Sequence, residues 1–136
     1  MKKRILIVDD ENQVREFVST VLEENDYVPI TARNGEEAMD MIRKNRPDLI
    51  ILDVLMPKEG GIRMYRELKT TDFLKSIPVV IYSGIAKRTF LRTQAVRAEF
   101  GGQSVAEPEG YVEKPSKPEY LAGVVKEILD LSSYRL

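Results

Sequence analysis

The sequence predicts an α/β domain, a doubly wound five-stranded parallel sheet with helices on both faces, on three observations. Short runs rich in Ile and Val alternate with segments of helical periodicity along the chain. Most of these runs are apolar throughout rather than alternating with polar residues, as strands buried on both faces are. Four of them end on a polar side chain, Asp9-Asp10, Asp53, Ser83 and Lys114. In open parallel sheets such strand ends converge on the edge where ligands bind.

Each element follows from its local pattern. Strands are expected at 4–8, 27–32, 49–53, 79–83 and 111–113, all but the last buried on both faces. Val14, Phe17, Val18, Val21 and Leu22 fall at the spacing of one apolar helical stripe, and Leu121, Val124, Val125, Ile128 and Leu129 repeat it. Asn34 with Glu37 three residues later reads as a capping box opening a helix that ends before Pro47. A further helix is expected over 61–69, and Met39 and Met41 are ordinary helix residues. The segment 87–100 carries a ragged stripe of Phe90, Leu91, Ala95, Val96 and Phe100 beside Lys87, Arg88, Arg92 and Arg97. It reads as a helix ended by Gly101-Gly102, with an extended polar loop over 101–110 before the last strand. The basic residues read as a solvated helix face, with a docking surface for an acidic partner as the alternative.

Composition narrows the chemistry. The chain has 136 residues, 21 basic and 22 acidic, with a net charge of −1. That length fits one domain over 1–136, and no separate effector domain is expected within it. The balanced charge gives no global field for non-specific binding to nucleic acid, so no direct nucleic-acid partner is expected. Without cysteine or histidine, disulfides, thiolate chemistry and the commonest metal ligand are excluded, and any metal must take oxygen ligands. Four apolar residues after Met1-Lys2-Lys3-Arg4 are too few for a signal peptide or a membrane helix, so a cytoplasmic protein with no membrane partner is expected.

Three carboxylates brought to one edge repel each other. At ~4 Å two like charges cost about 4 kcal/mol at an effective dielectric of 20, so the cluster needs a cation or must take up protons. A hard divalent ion such as Mg²⁺ suits it, taking one or two carboxylates, waters and phosphate oxygens. Asp10 and Asp53 suit direct ligation. A carboxylate can also attack phosphorus to form an acyl phosphate, which points to Asp53 as the nucleophile. Lys114 offers a mobile ammonium to one phosphoryl oxygen, and Ser83, before Gly84, a hydroxyl to another.

Together these residues resemble a known family, the receiver domains of two-component response regulators. The sequence Ile5-Leu6-Ile7-Val8-Asp9-Asp10-Glu11 is similar to the family's first strand and acidic pair, and Asp53-Val54-Leu55-Met56-Pro57 followed by Gly61 to its phosphorylation loop. Tyr82-Ser83-Gly84 and Tyr111-Val112-Glu113-Lys114-Pro115 match its other two motifs. The resemblance covers nearly the whole chain and implies the flavodoxin-like receiver fold. It implies a phosphorylation-controlled switch in which a sensor histidine kinase or histidine phosphotransfer protein passes a phosphoryl group to Asp53. It implies Mg²⁺ held by Asp10, Asp53 and the Leu55 backbone carbonyl, with Asp9 acting through water, and a cis bond before Pro115. It also implies that Ser83 and Tyr111 move on phosphorylation and reshape the face of the fourth helix, fifth strand and fifth helix, where a downstream protein or a second copy in a homodimer would dock. Apart from self-phosphorylation and self-dephosphorylation, no turnover is implied.

Three departures from the family pattern carry expectations of their own. Gly60 stands where the family often has Asp or Asn, which predicts a more flexible loop. Leu55 and Ile85 occupy the two positions that tune acyl-phosphate lifetime, and neither can orient an attacking water, so self-dephosphorylation should be slow. The stretch between Ser83 and Lys114 exceeds the family norm by roughly nine residues, a length that often carries function. Beside the output face, it is expected to alter partner choice or dimerisation, with a passive loop as the alternative.

Other readings are weaker. Alone, Asp9-Asp10 could be a solvated strand end, Asp53 a turn carboxylate, Ser83 a strand-end cap and Tyr111 a half-buried aromatic, but their co-occurrence disfavours each. An aspartate-nucleophile phosphatase would need a second Asp soon after Asp53, and a dinucleotide-binding oxidoreductase a glycine in the turn at 9–12; neither is present. A phosphorylation-independent interaction module that keeps the fold is the remaining alternative.

Overall fold

The computed structural model describes residues 1–99 and 101–132. The chain runs β1 (Arg4–Val8), α1 (Asn12–Glu24), β2 (Val28–Ala32), α2 (Gly35–Lys44) and β3 (Leu49–Leu52). It continues through a 3₁₀ turn (Pro57–Glu59) into α3 (Gly60–Thr70), β4 (Val79–Ser83), α4 (Lys87–Glu99), β5 (Gly110–Glu113) and α5 (Pro118–Ser132). All pairings are parallel and the strand order is β2-β1-β3-β4-β5. The expected doubly wound sheet is therefore present, and its order reverses between β1 and β3.

The apolar runs work as predicted in the centre of the sheet. Leu6, Val8, Ile50, Leu52, Val79 and Ile81 pack with α2, α3 and Phe90 of α4 on one face. The residues that alternate with them, Ile5, Ile7, Leu49, Ile51, Val80 and Tyr82, pack with α1 and α5 on the other. This is the two-residue period of a strand serving two cores at once. Each such side chain contributes about 1.5–3 kcal/mol by leaving water. β2 departs from the expectation, with only Ala32 buried. It pairs with β1 alone, and as an edge strand it tolerates Pro29 and needs no apolar outer face.

The helix signals are met with local adjustments. Val18, Val21 and Leu22 of α1 and Leu121, Val125, Ile128 and Leu129 of α5 form their buried stripes. Asn34 caps α2 by accepting from the Glu37 N–H at 2.8 Å, but Glu37 reaches back to the Arg33 N–H, one residue earlier than a full capping box requires. In α4 the ragged stripe resolves to Phe90 and Gln94, one turn apart, while Ala95 and Val96 face solvent and Phe100 lies outside the described residues. Lys87, Arg88 and Arg92 are exposed, as a solvated face requires, and Arg97 is half-buried. Gly101 takes φ 94° and the Gly102 N–H bonds the Arg97 carbonyl at 2.8 Å. This is the αL stop expected of a glycine pair after a helix.

Gly60 needs no special backbone freedom in this structure. Its φ of −57° and ψ of −39° are helical, and it opens α3. The left-handed residue of this loop is Lys58, at φ 59°. Gly61 has a steric role instead: a Cβ there would lie 2.2 Å from the Asp53 carbonyl oxygen and 2.6 Å from Val54 Cα. The glycine lets α3 start directly against the end of β3.

Candidate phosphoacceptor site

Backbone pairing between strand ends delivers the acidic residues to one place. The Asp9 N–H donates to the Ala32 carbonyl at 3.2 Å and the Asp53 N–H to the Val8 carbonyl at 3.0 Å. β1 and β3 therefore release Asp9, Asp10 and Asp53 together at the point where strand order reverses, the crevice where ligands bind in such sheets. One carboxylate oxygen from each of the three lies within 4.8 Å of the others. Asp9 and Asp53 are buried and Asp10 is exposed.

Hydrogen bonds orient the buried pair. Asp9 Oδ1 accepts from the Glu11 N–H at 2.9 Å, and Asp53 Oδ1 from the Leu55 N–H at 2.9 Å. Each carboxylate thus caps the turn that follows it. Lys114 closes the site from β5, its N–H donating to the Ser83 carbonyl at 2.8 Å. Its Nζ lies 2.8 Å from Asp9 Oδ2 and 3.5 Å from Asp53 Oδ2. The ammonium also sits 5.4 Å from the centre of the Tyr82 ring, a cation–π contact. The Lys114-Pro115 bond is cis.

Protonation follows from burial and partners. Burial pushes the Asp9 carboxyl above its ordinary 3.8, only partly offset by the hydrogen bonds from Lys114 and Glu11. Burial works to lower Lys114, but the Asp9 hydrogen bond and the Asp53 and Asp9 charges outweigh it and hold the ammonium above its ordinary 10.5. Lys114 is therefore a fixed positive charge at neutral pH.

The remaining predicted residues surround this core. Ser83 is fully buried, and among the described residues its Oγ has no hydrogen-bond partner. A buried hydroxyl with nothing to bond calls for a partner such as an added oxygen. Tyr111 is half-buried and its hydroxyl donates to the Ile85 carbonyl at 2.7 Å, two residues beyond Ser83. Its phenol is held well above the usual range by burial and by Glu113 and Asp53. The Leu55 side chain is exposed.

The three carboxylates form an all-oxygen donor set of the kind a hard divalent cation takes, so the residues present fit Mg²⁺. Sequence reading missed Arg15. Its Nη1 donates to the Asp9 carbonyl at 2.7 Å and its Nη2 to Asn12 Oδ1 at 3.3 Å, bracing the turn that carries Asp10. Arg15 lies one turn into α1, and nothing in its spacing marks it as facing back to the strand end.

A five-stranded parallel sheet with acidic residues and a lysine at its switch point defines the class of receiver-like α/β domains. The comparisons agree: the sequence profile of the response regulator receiver domain matches residues 5–126. The chain belongs to that family, whose domains serve as signalling switches in two-component systems rather than as turnover enzymes. It is 32% identical to the phosphate regulon transcriptional regulatory protein PhoB of Escherichia coli over 95% of this chain and 52% of that protein. It is 33% identical to the polar-differentiation response regulator DivK of Brucella anthropi over 89% of this chain and 92% of that protein. The chain thus spans about half the length of the first of these relatives. Among solved structures, the receiver domain of a signal transduction histidine kinase from Syntrophus aciditrophicus matches with a TM-score of 0.79 and 34% identity, covering 98% of this chain and 94% of that one. The chemotaxis response regulator CheY4 of Vibrio cholerae matches with a TM-score of 0.78 and 25% identity, covering 94% and 99%. Among the described residues, no helix is long and apolar enough to cross a membrane.

Proposed function

We propose that this chain is a phosphorylation-controlled switch in which a carboxylate oxygen of Asp53 attacks the phosphorus of a phosphohistidine on a sensor histidine kinase or phosphotransfer protein. The new bond is the O–P bond of an acyl phosphate; the P–N bond breaks and its electron pair stays with the imidazole. One observation carries the reading: the Asp9, Asp10 and Asp53 carboxylates gather within 4.8 Å beside an ammonium that reaches both Asp9 and Asp53. Asp10, Asp53 and the Leu55 carbonyl would hold Mg²⁺, with Asp9 acting through water. That ion supplies charge neutralisation between the acidic cluster and the incoming phosphoryl group.

The chain's own residues do the rest. The Leu55 N–H holds one Asp53 oxygen and leaves the other toward Lys114. Lys114 then binds a phosphoryl oxygen, and Ser83 gives its unpartnered hydroxyl to another. Movement of Ser83 and Tyr111 shifts the population of the α4-β5-α5 face, where a downstream protein or a second copy docks. Residues 1–136 form one receiver domain acting in the cytoplasm, and this domain itself makes no direct contact to nucleic acid or membrane.

The test is intact-protein mass spectrometry after incubation with a small acyl-phosphate donor, with and without Mg²⁺, on wild type and Asp53→Asn. A Mg²⁺-dependent gain of one phosphoryl group, absent in the variant, is expected. No gain under any condition would leave a phosphorylation-independent interaction module as the better reading.

A further inference from the structure

The long segment between α4 and β5 is held on α3 by polar anchors. The Tyr65 hydroxyl donates to the Ala106 carbonyl at 2.5 Å. Arg66 donates through Nη2 to the Gln103 carbonyl, and buried Lys69 pairs with Glu109 at 2.6 Å. The same Glu109 oxygen accepts the Val79 N–H at 2.8 Å, which fixes the end of the segment to the start of β4. Anchored in this way, the segment does not pack flush on α4, and a cavity of about 220 Å³ lies between the two.

The walls of this cavity are mostly apolar, with Phe90, Leu91, Ala95 and Ala98 from α4 and Val105 and Ala106 from the segment. Phe90 is buried whereas Ala95 and Ala106 are exposed, so the space runs from the core to the surface. None of Asp9, Asp10, Asp53, Ser83 and Lys114 lines it, so it is separate from the phosphoacceptor site. Gln94 lines the same space and is 8% exposed. Its Oε1 accepts from Arg66 Nη1 at 2.8 Å. A guanidinium has donors only, so the amide cannot be turned round, and its Nε2 is fixed on the side away from Arg66. Among the described residues that buried Nε2 has no hydrogen-bond partner. A buried donor left unpaired calls for an acceptor from outside the fold.

Size and charge narrow the occupant. An apolar protein cavity of about 150 Å³ admits benzene, so this one holds a substituted ring or a chain of similar bulk. Among the described residues the one ionisable group in the lining is Glu107, exposed at the rim, which repels an anion. A cation would set its charge against an apolar floor and an N–H donor, with its solvation lost. We propose that the cavity between α4 and the 101–110 segment is a binding site for a small uncharged apolar molecule that carries one hydrogen-bond acceptor. Its carbonyl or ether oxygen accepts from Gln94 Nε2, and its apolar body lies against Phe90, Leu91 and Val105. The site is independent of phosphoryl uptake at Asp53, so neither reading stands or falls with the other.

The test is a ¹H–¹⁵N NMR titration of the whole chain with acetophenone, and with α-methylstyrene, which has the same shape but a methylene group in place of the carbonyl oxygen. In wild type, saturable shifts should be confined to 90–98 and 104–107, and acetophenone should move the Gln94 side-chain N–H₂ signals. Gln94→Glu keeps an oxygen for Arg66 and replaces the donor by an acceptor. It should weaken acetophenone about tenfold more than it weakens α-methylstyrene, the effect of one hydrogen bond read as a double difference. Ala98→Leu suits a helix and fills the space, and should abolish saturable binding of both probes. Absence of saturable shifts in wild type, shifts elsewhere on the surface, equal losses of both probes in Gln94→Glu, or undiminished binding in Ala98→Leu would each overturn the site. A cavity that holds water alone gives the first of these results.

Discussion

Replacing Lys114 by Met removes one charge from a site that holds three of the opposite sign while keeping most of the stem volume. Lys114 Nζ lies 2.8 Å from Asp9 and 3.5 Å from Asp53, with the two carboxylates almost wholly buried and the lysine side chain 19% exposed. At an effective dielectric of 20 these pairs are worth about 6 and about 5 kcal/mol of gross attraction. Most of that offsets the desolvation of the three groups, and removing one partner of a buried pair costs about 3–5 kcal/mol net. The lower end applies here, because the lysine retains some water and Asp9 is already biased toward its neutral form. The expected loss in metal-free buffer is about 3 kcal/mol, read as a fall of roughly 1.5 M in the urea midpoint at unchanged slope. Saturating Mg²⁺ should recover most of it, since a dication among the same carboxylates replaces the lost charge. Mg²⁺ should therefore stabilise Lys114→Met more than wild type. A metal-free loss below about 1 kcal/mol, or an equal Mg²⁺ effect on both proteins, would refute the electrostatic account.

The two neighbouring glycines should respond in opposite directions. Gly61→Ala forces a Cβ against the Asp53 carbonyl and should cost about 3 kcal/mol and slow phosphoryl uptake, whereas Gly60→Ala, helical and open, should gain about 0.4–1 kcal/mol by urea titration. Phosphorylated protein should lose its phosphoryl group slowly by mass spectrometry, because Leu55 and Ile85 offer no side-chain hydrogen bond to water. Leu55→Asn should speed the loss by about tenfold, the equivalent of one hydrogen bond, and rapid loss from wild type would contradict this. Stability should also fall in alkali. Burial, with Glu109 and Glu107 at Tyr65 and with Glu113 and Asp53 at Tyr111, holds both phenols well above the 10.0 at which they ionise when unfolded. Raised folded values mean that stability is intact below pH 10 and is lost as pH rises beyond it. Urea midpoints between about pH 9 and 11 should fall less steeply in Tyr111→Phe.

The site was legible because its members are tied to the ends of apolar runs, and parallel topology converts strand ends into neighbours without further information. Asp9, Asp53, Ser83 and Lys114 needed only their runs to be identified as strands for their convergence to follow. α1 and α5 were legible for the similar reason that a sustained stripe has one period. α4 was harder: its buried face consists of Phe90 and Gln94, and a buried glutamine whose Oε1 accepts from Arg66 of another helix leaves no apolar signal. The edge position of β2 had one signal, Pro29, which a central strand does not accommodate, and the apolar Val28 and Ile30 on either side of it masked that signal.

Residue order alone determined the fold class, the element sequence and the set of polar side chains at the binding edge. Those depend on periodicity and on which residue follows each strand, which are local properties. Only the tertiary structure decided that Arg15 turns back to brace the acidic turn, that Gly61 is required by the Asp53 carbonyl, and that the 101–110 segment is anchored on α3 rather than free. Each of these is a contact between residues whose spacing carries no period: Tyr65 meets Ala106, and Lys69 meets Glu109, through packing that exists only once the helices have docked on the sheet.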